Sequence, residues 1–198
     1  MKEKKQLINE IIQNEWIMFS SVNEQVDPVS EPGQHSSCQD FPDEFKLHRE
    51  SKLMPWSLKT LHSYLDDLTR ARKSGQNLMT YKYARMDNLI PNENNTPYID
   101  SIVFQLVKWQ KEFMVNYPGI MSGGRALSGS SPGVDWPSFE NYLRCELESY
   151  SKQTLEYLSH DIEIMTKKGK SMSEEVYTHL TQKKGYSSLK QAEIKNRK

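Results

Sequence analysis

The sequence has few cysteines, no excess of either charge and no long apolar run, and each of these features counts against a class of protein. Only two cysteines occur in 198 residues, and they lie far apart, so a disulfide framework is excluded. Lysine plus arginine and aspartate plus glutamate balance at 26 each, so no nucleic-acid partner is expected. No apolar run approaches the length of a membrane span, so no membrane partner is expected either.

The amino terminus also lacks the apolar segment of a signal peptide, because it reads MKEKKQLINEI. Together with the two separate thiols, this start predicts a cytoplasmic protein. The length suits one domain, so we expect residues 1–186 to form a single helical domain and residues 187–198 a charged tail. The sequence identifies no cofactor and does not indicate the oligomeric state.

Apolar residues recur at helical spacing almost throughout the chain, with no convincing strand alternation and no internal repeat. The pattern predicts an all-α protein, an irregular bundle of about six to seven helices. The longest predicted helix runs from about Pro137 to Lys168 and stops at Gly169. The loop before it, over residues 119–136, is rich in glycine and serine but lacks the Gly-Lys-Ser/Thr ending of a phosphate-binding loop.

Two glutamates and two arginines fall on the apolar faces of predicted helices. They are Glu15 in the first helix, Glu146 in the longest, Arg72 in the third and Arg85 in the fourth. A carboxylate directed at a core is costly unless it is paired, and arginine can bind a carboxylate through two parallel hydrogen bonds. Two interpretations remain open: internal ion pairs that fix the packing, or a polar pocket between helices that binds a small charged ligand.

No metal site is expected, because the Glu-x-x-His motif of di-metal bundles is absent. Spacing by four residues places both members of a pair on one helix face, where solvated pairs are commoner than metal ligands. The glutamate–histidine pairs with this spacing are Glu44 and His48, Glu156 and His160, and Glu175 and His179.

The two cysteines have different surroundings in the predicted structure. Cys38 precedes a helix that begins near Pro42, and a helix N-terminus lowers the pKa of a thiol. Cys38 is therefore a candidate nucleophile, provided that a base lies within hydrogen-bond reach. The alternative is a small residue that packs a loop onto the core. Cys145 lies inside the longest predicted helix and is expected to pack there.

Five short motifs occur in an order that is similar to one protein family. They are SCQ at 37–39, Phe45 with Arg49, KYARM at 82–86, YP at 117–118, and SFENYLRCELESYS at 138–151. The chain resembles a bacterial family known as domain of unknown function 4125, from its first helix to about Tyr186. The resemblance implies a helical bacterial protein and supplies no reaction.

The resemblance also implies a set of positions that match the family's pattern. This chain departs from that pattern at Tyr81, where the family often has glutamate, at Lys52, where it often has glutamine, and at Ala126, where proline is common. Arg85 and Glu146 are selected by helical spacing as well. The matching positions are Cys38, Gln39, Arg49, Arg85, Arg125, Arg144, Glu146 and Tyr150.

The leading hypothesis is a pocket that binds a small anionic metabolite or cofactor, with Glu146 as the acid or base of any reaction. One alternative is a non-enzymatic protein–protein interaction module in which the arginine–glutamate network is purely structural. Another is a cysteine-dependent enzyme that uses Cys38, and Tyr150 is the third catalytic candidate. The candidate ligand-binding residues are Arg49, Arg85, Arg125, Arg144, Gln39 and Glu15.

Overall fold

The computed structural model describes residues 2–22, 39–129 and 137–197, and every regular element in these ranges is an α-helix. The all-α prediction is therefore confirmed, although this part of the chain contains nine helices rather than six or seven. They are α1 (Lys2–Ser20), α2 (Pro42–Leu53), α3 (Leu58–Lys73), α4 (Leu78–Met86), α5 (Pro97–Asn116), α6 (Phe139–Glu148), α7 (Lys152–Lys167), α8 (Met172–Lys183) and α9 (Leu189–Asn196).

The helix predicted to be the longest is two helices, α6 and α7. Ser151 is the N-cap of α7, and its Oγ accepts a hydrogen bond from the backbone N–H of Thr154 at 3.2 Å. The backbone N–H of Ser151 donates outside the helix, to Oδ2 of Asp67 at 3.0 Å. A bond to another helix thus interrupts the ladder, while the apolar spacing continues across the break. For that reason the pattern alone predicted one continuous helix.

The ninth helix lies in the segment that was predicted to be a charged tail. Ala192 is fully buried, and the carboxylate of Glu193 accepts the backbone N–H groups of Gly119 at 3.0 Å and Ile120 at 2.9 Å. A side chain at Gly119 would not fit, because a Cβ there would lie 2.9 Å from the backbone oxygen of Glu193. The carboxylate therefore fixes α9 to the turn after α5.

The helices pack in two groups that contact each other. In the first group α1 packs against α2, α3 and α4, and in the second α5 packs against α6, α7 and α8. Between the groups, α3 packs against α7, α2 against α8 and α4 against α6, while α9 packs against α8. Fully buried apolar side chains such as Ile11, Leu61 and Leu155 form the core. None of the described helices is both long and apolar enough to span a membrane.

The N-cap at Ser151 gives a test of the break between α6 and α7. Ser151→Ala should lower the free energy of unfolding by about 1 kcal/mol, because the first turn of α7 loses its side-chain acceptor. A urea melt measures the change. The matched control is Ser159→Ala in the middle of α7, which should be neutral or slightly stabilising because alanine has the higher helix propensity. A continuous helix would make the two variants behave alike.

Candidate functional site

A buried ion network lies where α1, α2, α3 and α6 meet. Arg49 of α2 is only 6% exposed, and its Nε donates to Oε2 of Glu15 at 2.7 Å. Its Nη2 donates to the other oxygen of the same carboxylate, so the contact is bidentate. Its Nη1 donates to Oε1 of Glu146 at 2.9 Å. Both carboxylates point inward, as helical spacing predicts, and one arginine pairs with both.

Two tyrosines and a lysine complete the hydrogen bonding of these carboxylates. The hydroxyl of Tyr64 donates to Oε1 of Glu15 at 2.7 Å, and that of Tyr150 to Oε1 of Glu146 at 2.9 Å. The ammonium of Lys52 donates to the other oxygen of Glu146. Each carboxylate therefore receives three donors, which offsets its loss of hydration.

The pKa values in this network differ from those of the free side chains. Burial alone would raise the pKa of Glu146, but the charges of Arg49 and Lys52 hold it well below its usual range. Glu146 is therefore ionised at neutral pH and is poorly suited to donate a proton. Burial lowers the pKa of Lys52 to about 8, although the neighbouring Glu146 opposes this change. The side chain of Lys52 is 28% exposed, so it is accessible from solvent.

A third cation enters the network from α4. Lys82 is 2% exposed, and its Nζ donates to the hydroxyl of Tyr142 at 2.9 Å and lies 4.4 Å from the centroid of that ring. Its charge also helps to keep the pKa of Glu146 low. No carboxylate in the described ranges lies within ion-pair distance of Lys82. We call Glu15, Arg49, Lys52, Lys82 and Glu146 the charged cluster.

Arg125 reaches the edge of the charged cluster through Tyr142. Its guanidinium carbon lies 5.0 Å from the centroid of the Tyr142 ring, and its Nη1 donates to the backbone oxygen of Pro137 at 3.1 Å. The same ring therefore contacts two cations, Lys82 and Arg125. Burial raises the pKa of the Tyr142 hydroxyl, which stays protonated at neutral pH.

Arg85 belongs to a separate ion pair. Its Nε donates to Oε2 of Glu148 at 2.8 Å and its Nη1 to the backbone oxygen of Ile90 at 2.6 Å. The hydrogen bond to Glu148 raises the pKa of Arg85 above its usual value. Because the carboxylate of Glu148 is almost fully buried, this pair ties α4 to α6. Arg85 therefore does not join the charged cluster.

The prediction that Arg72 points inward is wrong. Arg72 is exposed and donates to Oδ1 of Asn14 at 2.7 Å. The buried face of α3 ends with Leu68 and Ala71, one position before Arg72. One position rotates a helical side chain by about 100°, which is enough to turn it from core to solvent.

Arg144 and Gln39, two further predicted site residues, have hydrogen-bond partners outside the charged cluster. Arg144 donates to Oδ1 of Asp100 on α5 at 2.7 Å, in a surface contact. The side chain of Gln39 donates to the backbone oxygen of Phe19 at 2.7 Å. Cys38 lies outside the described residues. Cys145 is buried, and burial raises the pKa of its thiol.

Among the described residues, no three His, Cys, Asp or Glu side chains lie close enough together to bind a metal. His48 and Glu44 form an exposed pair at 3.5 Å. His179 does not pair with Glu175 as its spacing suggested, because its ring contacts Oγ of Ser51 at 2.9 Å and Oε1 of Glu50 at 3.5 Å.

Sequence reasoning missed Lys52, Lys82, Tyr64 and Tyr142 as members of the site. A signal for Lys82 was present, because it follows the buried Met79 by three residues and therefore lies on the same face of α4. It was not selected, because the apolar face of this helix was drawn on the side of Arg85. Helical spacing did not indicate Lys52, since α2 has few apolar residues to define a face, although Lys52 is one of the departures from the family's pattern.

A family model described as "Protein of unknown function (DUF4125)" matches residues 5–194, which is nearly the whole chain. The chain belongs to this family. The match confirms the resemblance seen in the short motifs, and it includes every residue of the charged cluster. No curated protein and no solved structure matches the chain. Membership of the DUF4125 family assigns no reaction, so function rests on the geometry of the cluster.

Removal of the central cation should destabilise the protein strongly. Arg49→Met leaves two buried carboxylates without their shared partner, and we expect a loss of about 3–5 kcal/mol in the free energy of unfolding. Guanidinium melts monitored by circular dichroism measure this loss.

The matched control is Arg72→Met, which removes an exposed hydrogen bond and should change stability by no more than about 0.5 kcal/mol. Similar losses in the two variants would show that the charged cluster does not hold the helices together.

The effect of Glu146→Gln should depend on pH. The folded-state pKa of Glu146 lies below its unfolded value of about 4.3, so its stabilising contribution is present above that value and is lost as the pH falls through the folded-state pKa. At neutral pH the variant should be less stable by about 1–3 kcal/mol. Urea melts over descending pH should show the difference between variant and wild type narrowing in acid. A difference that stays constant would contradict this assignment.

Proposed function

We propose that the protein binds a small anion, such as a carboxylate or phosphate metabolite, at the Lys82 end of the charged cluster. Lys82 supports this proposal because it is almost fully buried. Among the described residues its Nζ donates a hydrogen bond only to the neutral phenol of Tyr142 and otherwise lies against the rings of Tyr142 and Tyr83. A buried ammonium without an ionic partner is costly. An anion bound beside it would supply the missing charge.

The charge count of the cluster supports the same conclusion. Arg49, Lys52 and Lys82 carry three positive charges, whereas Glu15 and Glu146 carry two negative charges. In water one surplus charge matters little, but in a buried site it favours binding of an anion.

The groups best placed to contact a ligand lie at one edge of the cluster. Lys82 and Arg125 both lie against the ring of Tyr142, and Lys52 and Arg125 are partly exposed. A ligand at this edge could accept hydrogen bonds from ammonium, guanidinium and phenol groups together. Lys52 is the group best suited to exchange a proton with the ligand, because its pKa is about 8.

The remaining cluster residues support the site and do not contact the ligand. The guanidinium of Arg49 is hydrogen-bonded to Glu15 and Glu146, so a ligand could bind it only by displacing a carboxylate. In this proposal Arg49, Glu15 and Glu146 hold Lys52 and the surrounding helices in place. Tyr150 serves the same purpose through its bond to Glu146.

The proposal is tested by thermal melts in the presence of defined anions. Inorganic phosphate, citrate and adenosine monophosphate are titrated at constant ionic strength, with sodium chloride as the reference salt. A bound anion should stabilise the wild type saturably, by about 2.7 kcal/mol when its concentration is 100 times its dissociation constant. Lys82→Met should lose this response without losing stability, because relief of the cost of burying an ammonium that has no carboxylate partner among the described residues offsets the loss of its attraction to Glu146.

Lys59→Met is the matched control, since Lys59 is an exposed lysine on α3. It should respond to the anions as the wild type does. An equal response in Lys82→Met would place the anion elsewhere, and the absence of any response to the three probes in the wild type would count against the proposal.

A further inference from the structure

The first and second halves of the chain repeat one arrangement of four helices. α1 packs against α2, α3 and α4, and α5 packs against the corresponding helices α6, α7 and α8. The contacts between the halves are reciprocal, because α2 packs against α8 and α6 against α4, while α3 and α7 pack against each other. Reciprocal contacts of this kind are the property of a two-fold interface.

The sequence carries the same correspondence at a separation of 94 positions. Gly75 and Gly169, which are equivalent at this separation, both follow the preceding helix and both have positive φ, 72° and 65°. The repeat is not evident from the sequence alone, because identical residues are widely spaced and most exposed residues differ. Other identical pairs at this separation are Ile8 and Ile102, Phe19 and Phe113, Leu53 and Leu147, Ser57 and Ser151, Thr60 and Thr154, and Asp67 and Asp161.

Equivalent aspartates cap helices of the opposite half. Oδ2 of Asp161 on α7 accepts the backbone N–H of Ser57 at 2.8 Å and the hydroxyl of Thr60 at 2.5 Å, at the start of α3. Asp67 on α3 accepts the two equivalent groups at the start of α7, at 3.0 and 2.6 Å. Both ends of the α3–α7 contact are thus closed by the same set of hydrogen bonds.

Two pairs of equivalent positions contact each other directly. The rings of Trp56 and Tyr150 lie 6.1 Å apart, and the ammonium of Lys52 binds the carboxylate of Glu146. Only positions near a two-fold axis can contact their own equivalents. The axis that relates the halves therefore passes beside the charged cluster.

We infer that the chain is a tandem duplication of a four-helix unit. The duplication gives two equivalent sets of inward-facing positions between the helices, and the charged cluster is a specialisation of one of these sets. The other set of equivalent positions is occupied by apolar side chains. The counterparts of Glu15, Arg49, Tyr64 and Lys82 are Trp109, Leu143, Leu158 and Val176, of which the first three are buried.

The apolar counterpart shows that an equivalent helix arrangement forms in the same chain without charged side chains at these positions. Buried ion networks are often no more stabilising than well-packed apolar side chains of similar volume. The charged side chains at one of the two equivalent sets of positions are therefore best explained by ligand binding, and this step rests on the proposed function. It predicts one anion per chain, bound beside Lys82, because Val176 fills the equivalent position.

The equivalence of the halves is tested first, without a ligand. Asp67 also pairs with Arg70, so both variants are made in an Arg70→Ala background. There Asp67→Ala and Asp161→Ala each remove two hydrogen bonds from an equivalent helix start, so their melting temperatures should fall by equal amounts. The exposed neighbours Asp66→Ala and Glu163→Ala serve as controls and should leave the melting temperature unchanged. If the aspartate variants do not fold, the matched caps Ser57→Ala and Ser151→Ala replace them.

The equivalence would be overturned if the melting temperature fell more than twice as far for the aspartate variant of one half as for that of the other half. An experimental structure gives a second test: residues 2–22 and 43–86 should superpose on residues 96–116 and 137–180 by a rotation near 180°, and a rotation far from this angle would exclude the duplication.

The specialisation is tested with Lys82→Val, which introduces the counterpart residue. The variant should melt at or above the wild-type temperature and lose its stabilisation by phosphate, citrate and adenosine monophosphate. If the melting temperature of Lys82→Val fell as far as that of Asp67→Ala, Lys82 would be a structural residue and the specialisation of the charged cluster for a ligand would be overturned. Titration calorimetry of the wild type with the best of these anions should give one site per chain, and two sites would also overturn it. No response to these anions in the wild type would defeat the proposed function while leaving the aspartate test of duplication valid.

Discussion

The contact between one guanidinium and two buried carboxylates determines much of this structure. Arg49 on α2 binds Glu15 on α1 and Glu146 on α6, so it joins helices from both halves of the chain. Because both acids are shielded from water, neither could remain charged at reasonable cost without it. The surrounding tyrosines and Lys52 then occupy the remaining acceptor sites. The positions of α1, α2 and α6 are consequently coupled through a single side chain.

Helical spacing was sufficient to predict that Glu15 and Glu146 point inward, because α1 and α6 have well-defined apolar faces. It could not identify their partner uniquely. The chain has seven arginines, and the one that pairs with both glutamates, Arg49, lies on a helix whose apolar pattern is weak. Arg72 was placed inward by extending a real stripe one residue too far, where a single position changes the direction of the side chain.

Other features depend on contacts that no local pattern contains. The break before α7 exists because the backbone N–H of Ser151 donates to Asp67 instead of to a carbonyl within a continuous helix. The spacing of apolar residues contains no information about that bond. The position of α9 likewise depends on Glu193 meeting two backbone N–H groups far away in sequence. The two-fold relation between the halves was hidden for a related reason. What the halves share is mainly buried and capping residues, and these are too few to stand out in the sequence.

The reciprocal caps on α3 and α7 also determine when the protein can finish folding during synthesis. The bond from Thr60 to Asp161 joins positions 101 residues apart, and the bond from Thr154 to Asp67 joins positions 87 residues apart. In a nascent chain that ends before α7, the backbone N–H of Ser57 and the hydroxyl of Thr60 at the start of α3 therefore lack their acceptor, Asp161. Contacts between positions so distant in sequence close late and slow the search for the native state. Both helix starts become complete only after α7 has left the ribosome, so the two halves acquire their final stability together.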